Sequence, residues 1–373
     1  MIFPATGVWT LISGIGTISH PTSQNSSVTG LPVGVHTFRW TVSNGPCANS
    51  LTTDDVQIFV YDENNPIADA GPDQELCTPT TAITLAGSSL IFPATGEWTV
   101  SGGTGVFGDA NDPNTTVTGL TVGENIFTWT VSNGPCANGT TTDDVSIFLF
   151  NQNNPAANAG ADQELCTTTP TTSVVMAGSA IIFPAVGTWT LVSGSGFFTN
   201  ANDPAATANG LTVGENIFAW TVDNGPCLLS PSSDTVSIFV FDQNNPIADA
   251  GADQSLCTPN TIADMAGSTV VFPASGQWTL VSGDGTITDP TSPTTTITDL
   301  GIGVNVFAWT VDNGPCTNGI TSSQVSISLY DDDGLLSDAG PDQSFCLPTT
   351  SSTFAGSAVT IPAIGTWSLL NGA

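Results

Sequence analysis

Hydrophobic and polar positions alternate along much of this chain. Phe127, Trp129 and Val131 are separated by Thr128 and Thr130, and Val145, Ile147 and Leu149 again take every second position. A period of two puts successive side chains on opposite faces of a strand, so these runs predict half-buried β-strands. Gly, Pro, Asn and Asp punctuate the runs at the spacing of a β-sandwich. Across residues 66–154 the pattern predicts seven strands: one near Gln74–Cys77, then Ala82–Leu85, Glu97–Val100, Gly105–Phe107, Thr115–Thr118, Asn125–Val131 and Val145–Phe150. No segment keeps a 3.6-residue period over ten residues, and the predicted fold class is all-β.

The pattern is copied. IFPATGVWTLISG from Ile2 returns as IFPATGEWTVSGG from Ile91, IFPAVGTWTLVSG from Ile182, VFPASGQWTLVSG from Val271 and TIPAIGTWSLLNG from Thr360. The Trp of this motif falls at 9, 98, 189, 278 and 367, giving intervals of 89, 91, 89 and 89 residues. A second Trp follows the first four at Trp40, Trp129, Trp220 and Trp309, so a compact unit is repeated almost without insertion. DENNP at 62–66, NQNNP at 151–155 and DQNNP at 242–246 read as linkers. The expected organisation is a partial repeat over 1–65 without its first strands, complete repeats over 66–154, 155–245 and 246–334, and the first strands of another over 335–373. Both Trp of each repeat sit on alternating apolar faces and are expected in the core between the sheets.

Charge narrows the function. The chain has 32 Asp and Glu against one basic residue, Arg39, so the balance is 1 − 32 = −31. Phosphate backbones are bound through Lys and Arg, so nucleic-acid binding is excluded. No apolar run approaches the ~20 residues of a membrane-spanning helix, so no membrane insertion is expected. Residues 1–20 carry neither the charged nor the apolar region of an export leader. A hydrophobic content of 39% separates the chain from acidic disordered tails.

Eight cysteines, at 47, 77, 136, 166, 227, 257, 316 and 346, fall two to a repeat. Regular spacing in a chain almost free of Lys suits disulfides and an extracytoplasmic setting. Pairing depends on strand direction. Cys136 follows the Trp129 strand and must lie at the end of its repeat remote from the linker at 153–155. Cys77 opens the same repeat and is expected at that same end, so the predicted bonds are Cys77–Cys136, Cys166–Cys227 and Cys257–Cys316, within the ~7 Å that a disulfide allows between Cα atoms. Cys47 and Cys346 then have partners outside these repeats.

GENIFTWTVSNG (123–134) followed by DDVSIFLF (143–150) resembles the closing strands of a polycystic-kidney-disease (PKD) domain. The opening ADAGPDQELC (68–77) is similar to that of PKD-like repeats in giant surface proteins of Bacteroidetes, among them the filamentous adhesins of gliding motility. The resemblance implies tandem seven-stranded immunoglobulin-like (PKD-like) sandwiches of about 89 residues, export by the type IX system, and a role as cell-surface stalk or adhesin. An odd strand count sets the two termini of a repeat at opposite ends. The repeats are therefore expected to stack as a rod, each advancing about 35–40 Å.

Chemistry is sparse. There is no GxSxG elbow, and the only histidines are His20 and His36. GTGVFG (103–108) spells GxGxxG but lies between strands, where a dinucleotide fingerprint must open a helix. The adjacent carboxylates Asp54–Asp55 and Asp143–Asp144 point to opposite faces of a strand and do not make an acid–base pair. An enzyme is not expected. The linkers hold the one candidate site. Asp62, Asn64, Asn65, Asp69 and Asp73 put carboxylate and amide oxygens on both sides of a junction, as do Asp242, Asn244, Asn245, Asp249 and Asp253, and then Asp331, Asp332, Asp333, Asp338 and Asp342. Calcium, which takes six to eight oxygens, is the one cofactor such a layout suits; solvated turns are the competing reading. The junction carrying Asn151 and Asn158 lacks two of the charges.

The expected function is therefore structural: a stalk or filament segment of a large surface adhesin that spans distance and transmits force. Its partners would be neighbouring repeats of the same chain, with other filament chains or a surface ligand bound elsewhere. A self-assembling filament subunit, completed head-to-tail by neighbouring half-repeats, is the alternative; a spacer in a secreted enzyme is a third.

Overall fold

The computed structural model describes residues 4–48, 50–228, 230–332 and 336–371, and all regular secondary structure among them is β. In residues 66–154 seven strands form two sheets. The larger runs in the order Gln74–Cys77, Thr140–Phe150, Gly123–Ser132, Thr95–Gly102; the smaller runs Ile83–Thr84, Thr116–Thr118, Val106–Phe107. All seven coincide with the strands that the alternation predicts. The largest shift is at Thr140–Asp144, which has no apolar alternation and is held in the sheet by pairing, Ser132 opposite Thr140 through Thr128 opposite Asp144.

The two Trp of a repeat close the core. Trp98 lies directly opposite Trp129 on neighbouring strands, their rings 5.0 Å apart and tilted by 38°, and both are buried. Phe127, Val131, Val117, Leu85, Ile147 and Leu149 pack around them. This pairing needs a glycine two residues before the first Trp: a Cβ on Gly96 would lie 2.3 Å from the Trp129 ring, and one on Gly276 would lie 2.2 Å from Trp309. Below the Trp pair a buried Asn ties a loop to the sheet. Asn125 accepts from the Thr104 amide (3.1 Å) through Oδ1 and donates from Nδ2 to the carbonyls of Thr121 (2.9 Å) and Ile147 (3.3 Å). Asn216 and Asn305 repeat the arrangement. In the first repeat His36 replaces it, its Nδ1 accepting from Ile15 (3.0 Å) and its Nε2 donating to the Pro32 carbonyl (2.8 Å), which assigns this histidine a structural task.

The chain divides into two compact units. One comprises Met1–Ala156, Ala180–Gly187 and Val222–Ser232; the other comprises Ala157–Ser179, Thr188–Thr221 and Ser233–Ala373. In the first, residues 1–65 supply a three-stranded sheet, Thr6–Ser13, Gly34–Ser43, Leu51–Val60, and the pair Thr17–Ile18 with Val28–Thr29. Arg39 makes a bidentate ion pair with Asp55 there (2.7 and 2.9 Å), which holds that exposed carboxyl below the ordinary carboxylate range. In the second unit, Gln254–Cys257, Ile320–Tyr330, Gly303–Asp312 and Ser275–Ser282 reproduce the four-stranded order, faced by Ala263–Asp264, Thr296–Thr298 and Thr286–Ile287. Residues 336–371 contain no strand; Trp367 is 58% exposed where Trp98 is 1% exposed.

Strand polarity within the larger sheet positions everything at the junctions. Gln74–Cys77 joins the sheet parallel to its last strand, Gln74 opposite Ile147 and Cys77 opposite Phe150. Gln163–Thr167 and Gln254–Cys257 do the same against Ile238–Asp242 and Ile327–Tyr330.

Replacing Trp129 with Ala should destabilise its repeat by about 3–5 kcal/mol through cavity formation, and Gly96→Ala by about 1–3 kcal/mol through overpacking. Hydrogen exchange of the Gly123–Ser132 amides reads this one repeat within a multidomain chain. Unchanged protection in Gly96→Ala would contradict the packing described.

Candidate functional site at the repeat junctions

Because the first strand of a repeat runs parallel to its last, residues 66–77 travel the length of the sandwich. Cys77 therefore arrives at the C-terminal end, where the chain leaves for the next repeat. Its neighbour Thr78 donates its amide to the Phe150 carbonyl (3.0 Å), fixing the strand end. The next repeat presents the turn Asn224–Gly225–Pro226–Cys227 to this end. Asn224 Nδ2 donates to the carbonyl of linker residue Asn151 (2.9 Å). Gly225 lies flat against the Phe150 ring: a Cβ would stand 2.6 Å from it, and the backbone has φ +54°, a region that favours glycine. Cys77 and Cys227 are thereby brought to a Cα separation of 5.2 Å and are joined by a disulfide, packed among Phe148, Phe150 and Ala185.

The second unit repeats the construction. Asn313 Nδ2 donates to Asp242 O (3.0 Å), Asn318 Nδ2 donates to Asn245 O (3.1 Å), and Gly314 seats on the Phe241 ring. Cys166 bonds Cys316, again at 5.2 Å, among Phe239, Phe241, Val270 and Ala274. Each staple spans 150 residues of sequence. In the chain-entropy description a loop of that length stabilises the folded state by about 5 kcal/mol.

The intra-repeat pairs Cys77–Cys136, Cys166–Cys227 and Cys257–Cys316 are thus corrected: the staples join neighbouring repeats. Cys136 does lie at the end remote from the outgoing linker, against the incoming one, where Asn133 Nδ2 donates to Asp62 O (2.9 Å) and Asn138 Nδ2 to Asn65 O (3.1 Å). Cys77 lies at the other end, since the opening segment crosses the whole sandwich before reaching it. Cys47, Cys136, Cys257 and Cys346 carry free thiols.

The linker oxygens are distributed along the loops as caps for backbone amides. Asp62 Oδ1 accepts from the backbone and side-chain amides of Asn64 (2.9 and 3.1 Å), Asn65 Oδ1 from Ile91 (2.7 Å), Asp69 from Gly71 (2.9 Å) and Asp73 from Ser146 (2.8 Å). Asp242 caps Asn244, Asn245 caps Val271, Asp249 caps Gly251 and Asp253 caps Ser326, each at 2.8–2.9 Å. In the last set Asp338 caps Gly340 (2.8 Å), the Asp332 amide donates to Thr258 Oγ1 (2.9 Å), Asp331 is half-buried, Asp342 is exposed, and Asp333 lies outside the described residues. Among the described residues no three of His, Cys, Asp or Glu come together as a metal-binding group. The junction residues that sequence reasoning missed are Phe150 and Phe241 with the glycine of the Asn-Gly-Pro-Cys turn. The signal was an aromatic at the end of the last strand, Tyr61, Phe150 and Phe241, matched to the turn glycine of the following repeat, Gly134, Gly225 and Gly314.

Non-reducing peptide mapping should recover Cys77 linked to Cys227 and Cys166 linked to Cys316. A Cys77–Cys136 peptide in the folded protein would overturn the strand polarity. Gly225→Val should lower the melting temperature and make the Cys77–Cys227 bond more easily reduced than Cys166–Cys316, because the side chain meets the Phe150 ring; equal reduction of both bonds would contradict the docking.

Among known proteins, no family model matches the chain. The mouse dyslexia-associated protein KIAA0319-like protein is 28% identical over 251 residues, which is 63% of this chain and 23% of that protein. Human dyslexia-associated protein KIAA0319 is 28% identical over 273 residues, 67% of this chain and 25% of that protein. The chain spans about a quarter of the length of these relatives. Among solved structures it is similar to the I-band fragment I67–I69 of titin, at 13% identity and TM-score 0.36 over 71% of this chain and 99% of that one. It is also similar to the PKD domain of the KIAA 1837 protein, at 27% identity and TM-score 0.21 over 24% of this chain and 92% of that one. With seven strands in two sheets within each of Gln74–Phe150, Gln163–Asp242 and Gln254–Tyr330, and the core motif recurring at 89–91 residues, the chain is a tandem array of immunoglobulin-like β-sandwiches.

Proposed function

We propose that the chain is a load-bearing stalk segment of a large cell-surface adhesin, passing force between neighbouring repeats of the same polypeptide. One observation carries this reading: the disulfides bridge junctions instead of closing repeats on themselves. A disulfide within a sandwich shortens the chain released when that sandwich unfolds but leaves the hinge to the next one unprotected. A disulfide across the junction secures the hinge, the place where bending and tension concentrate. Disulfides also favour an oxidising compartment outside the cytoplasm, and a surface almost without Lys and Arg disfavours anionic partners.

The two staples overlap in sequence, and this sets the extension under load. From Cys77 to Cys316 the chain has 316 − 77 = 239 residue steps. With both bonds intact, one covalent route crosses to Cys227 and follows 316 − 227 = 89 steps; the other follows 166 − 77 = 89 steps and crosses to Cys316. The bonds thus withhold 150 residues, about 500 Å of extended chain. The resemblance of the opening ADAGPDQELC to gliding-adhesin repeats supports the finer assignment to that adhesin type, with adhesive ligands held by other domains.

Single-molecule stretching tests the proposal. The oxidised segment should stop extending about 500 Å short of the reduced one. Equal lengths with and without reductant would remove the load-bearing reading. In cells, surface labelling should reach the chain without permeabilisation, and Cys77→Ser with Cys166→Ser should weaken attachment or gliding under flow without reducing surface abundance.

A further inference from the structure

The glycine that seats on each ring leaves the asparagine before it open to attack. Asparagine is a thermally labile side chain, and the residue after it sets that lability, because its backbone nitrogen is the nucleophile that can close on Cγ. The buried core asparagines Asn216 and Asn305 are followed by Ile217 and Val306, whose branched Cβ crowds that nitrogen. The junction asparagines Asn224 and Asn313 are followed instead by Gly225 and Gly314, which offer no such shield. A branched residue cannot stand there, since even a Cβ would lie 2.6 Å from the Phe150 or Phe241 ring. Docking engages both reacting groups. Asn224 and Asn313, 8% and 1% exposed, donate from Nδ2 to Asn151 O (2.9 Å) and Asp242 O (3.0 Å). The Gly225 and Gly314 amides donate to Asp223 Oδ1 (3.1 Å) and Asp312 Oδ1 (3.0 Å), carboxylates whose charge opposes loss of the amide proton.

We propose that Asn224 and Asn313 are modification sites that deamidate when their junction undocks, and that the product cannot dock again. In the undocked turn the Gly225 nitrogen gives its proton to a solvent base and bonds Asn224 Cγ, while Nδ2 takes up a proton and leaves as ammonia. The cyclic imide adds one water and opens at either carbonyl, to aspartate or to isoaspartate. One water is consumed and one ammonia released, with no oxidant or reductant. Aspartate has no donor where Nδ2 stood, so a carboxylate oxygen meets the Asn151 carbonyl, acceptor against acceptor. Isoaspartate carries the same charge and adds a methylene to the backbone of a turn that has to lie flat on the ring. Each conversion therefore marks a junction that has opened and keeps it loose. The same chemistry applies to Asn313, Gly314 and Asp242. The proposal does not depend on the load-bearing role and is tested without force.

The oxidised 373-residue chain is held in mildly alkaline buffer, with the reduced chain in urea as the fully open reference, and peptide mapping follows aspartate and isoaspartate at each Asn-Gly. A site that reacts only when open is slowed by the fraction of time it is open, so Asn224 and Asn313 should convert at least about ten-fold more slowly in the folded chain than in the reference. Phe150→Ala should speed conversion at Asn224 and not at Asn313, and Phe241→Ala should do the reverse. Asn209–Gly210, within the strand Thr207–Thr212 of a smaller sheet, should respond to neither. Hydrogen exchange of Gly123–Ser132 reports whether Phe150→Ala leaves its repeat folded; if it does not, Phe150→Leu removes the flat ring, keeps an apolar side chain and carries the same expectation. Asn224→Asp should make Cys77–Cys227 more easily reduced than Cys166–Cys316. Conversion of Asn224 and Asn313 at the reference rate in the folded chain would overturn the proposal. So would slow conversion unmoved by loss of the ring, a rise at Asn209 in step with Asn224, or equal reduction of the two bonds in Asn224→Asp.

Discussion

The parallel pairing of each repeat's first strand with its last is the constraint from which the junctions follow. An antiparallel first strand would return its cysteine to the end where the chain came in, and the bond would close the repeat on itself. Parallel pairing lets the opening segment run beside the last strand in its own direction, from the incoming linker to the outgoing one: the amides of Ala68 and Ala70 donate to the side chains of Thr141 and Asp143 before Gln74 enters the sheet opposite Ile147. That traverse delivers Cys77 and Cys166 beside Phe150 and Phe241, at the one place where the following repeat's turn can reach them. Register matters equally, because a shift of one residue would turn the sulfur to the other face of the sheet.

The junction itself is made by few residues, each for a separate reason. The aromatic ring at the end of the last strand offers a flat apolar seat. The turn glycine, with its left-handed backbone and no Cβ, can lie on it at close range. The Asn before that glycine reaches the linker carbonyl and fixes the tilt of the turn. Only then do two sulfurs meet in a small apolar pocket. The same Cα separation of 5.2 Å occurs at both junctions.

Much of the fold was legible in the sequence because alternation and the Trp repeat report on burial directly. The seven strands of residues 66–154 follow from Phe127, Trp129, Val131, Val145, Ile147 and Leu149 and their turns. Thr140–Asp144 was not legible as strand, since its pairing is polar on both faces and is imposed by its neighbour. The cysteine partners were not legible either. Alternation gives the faces of a strand but is blind to its direction, and the pairing of Cys77 turns wholly on direction. The linker carboxylates show a different limit: their number is visible in the sequence, while their use one by one on nearby amides is decided by loop conformation.

The overlap of the two staples also governs what a single broken peptide bond does. A cut between Cys77 and Cys166 leaves the route through the Cys77–Cys227 bond; a cut between Cys227 and Cys316 leaves the route through Cys166–Cys316; a cut between Cys166 and Cys227 leaves both. No single hydrolytic event in this stretch separates its two ends. A cut beside an exposed residue such as Leu228, 89% exposed, therefore leaves the covalent path from Cys77 to Cys316 joined through the Cys166–Cys316 bond.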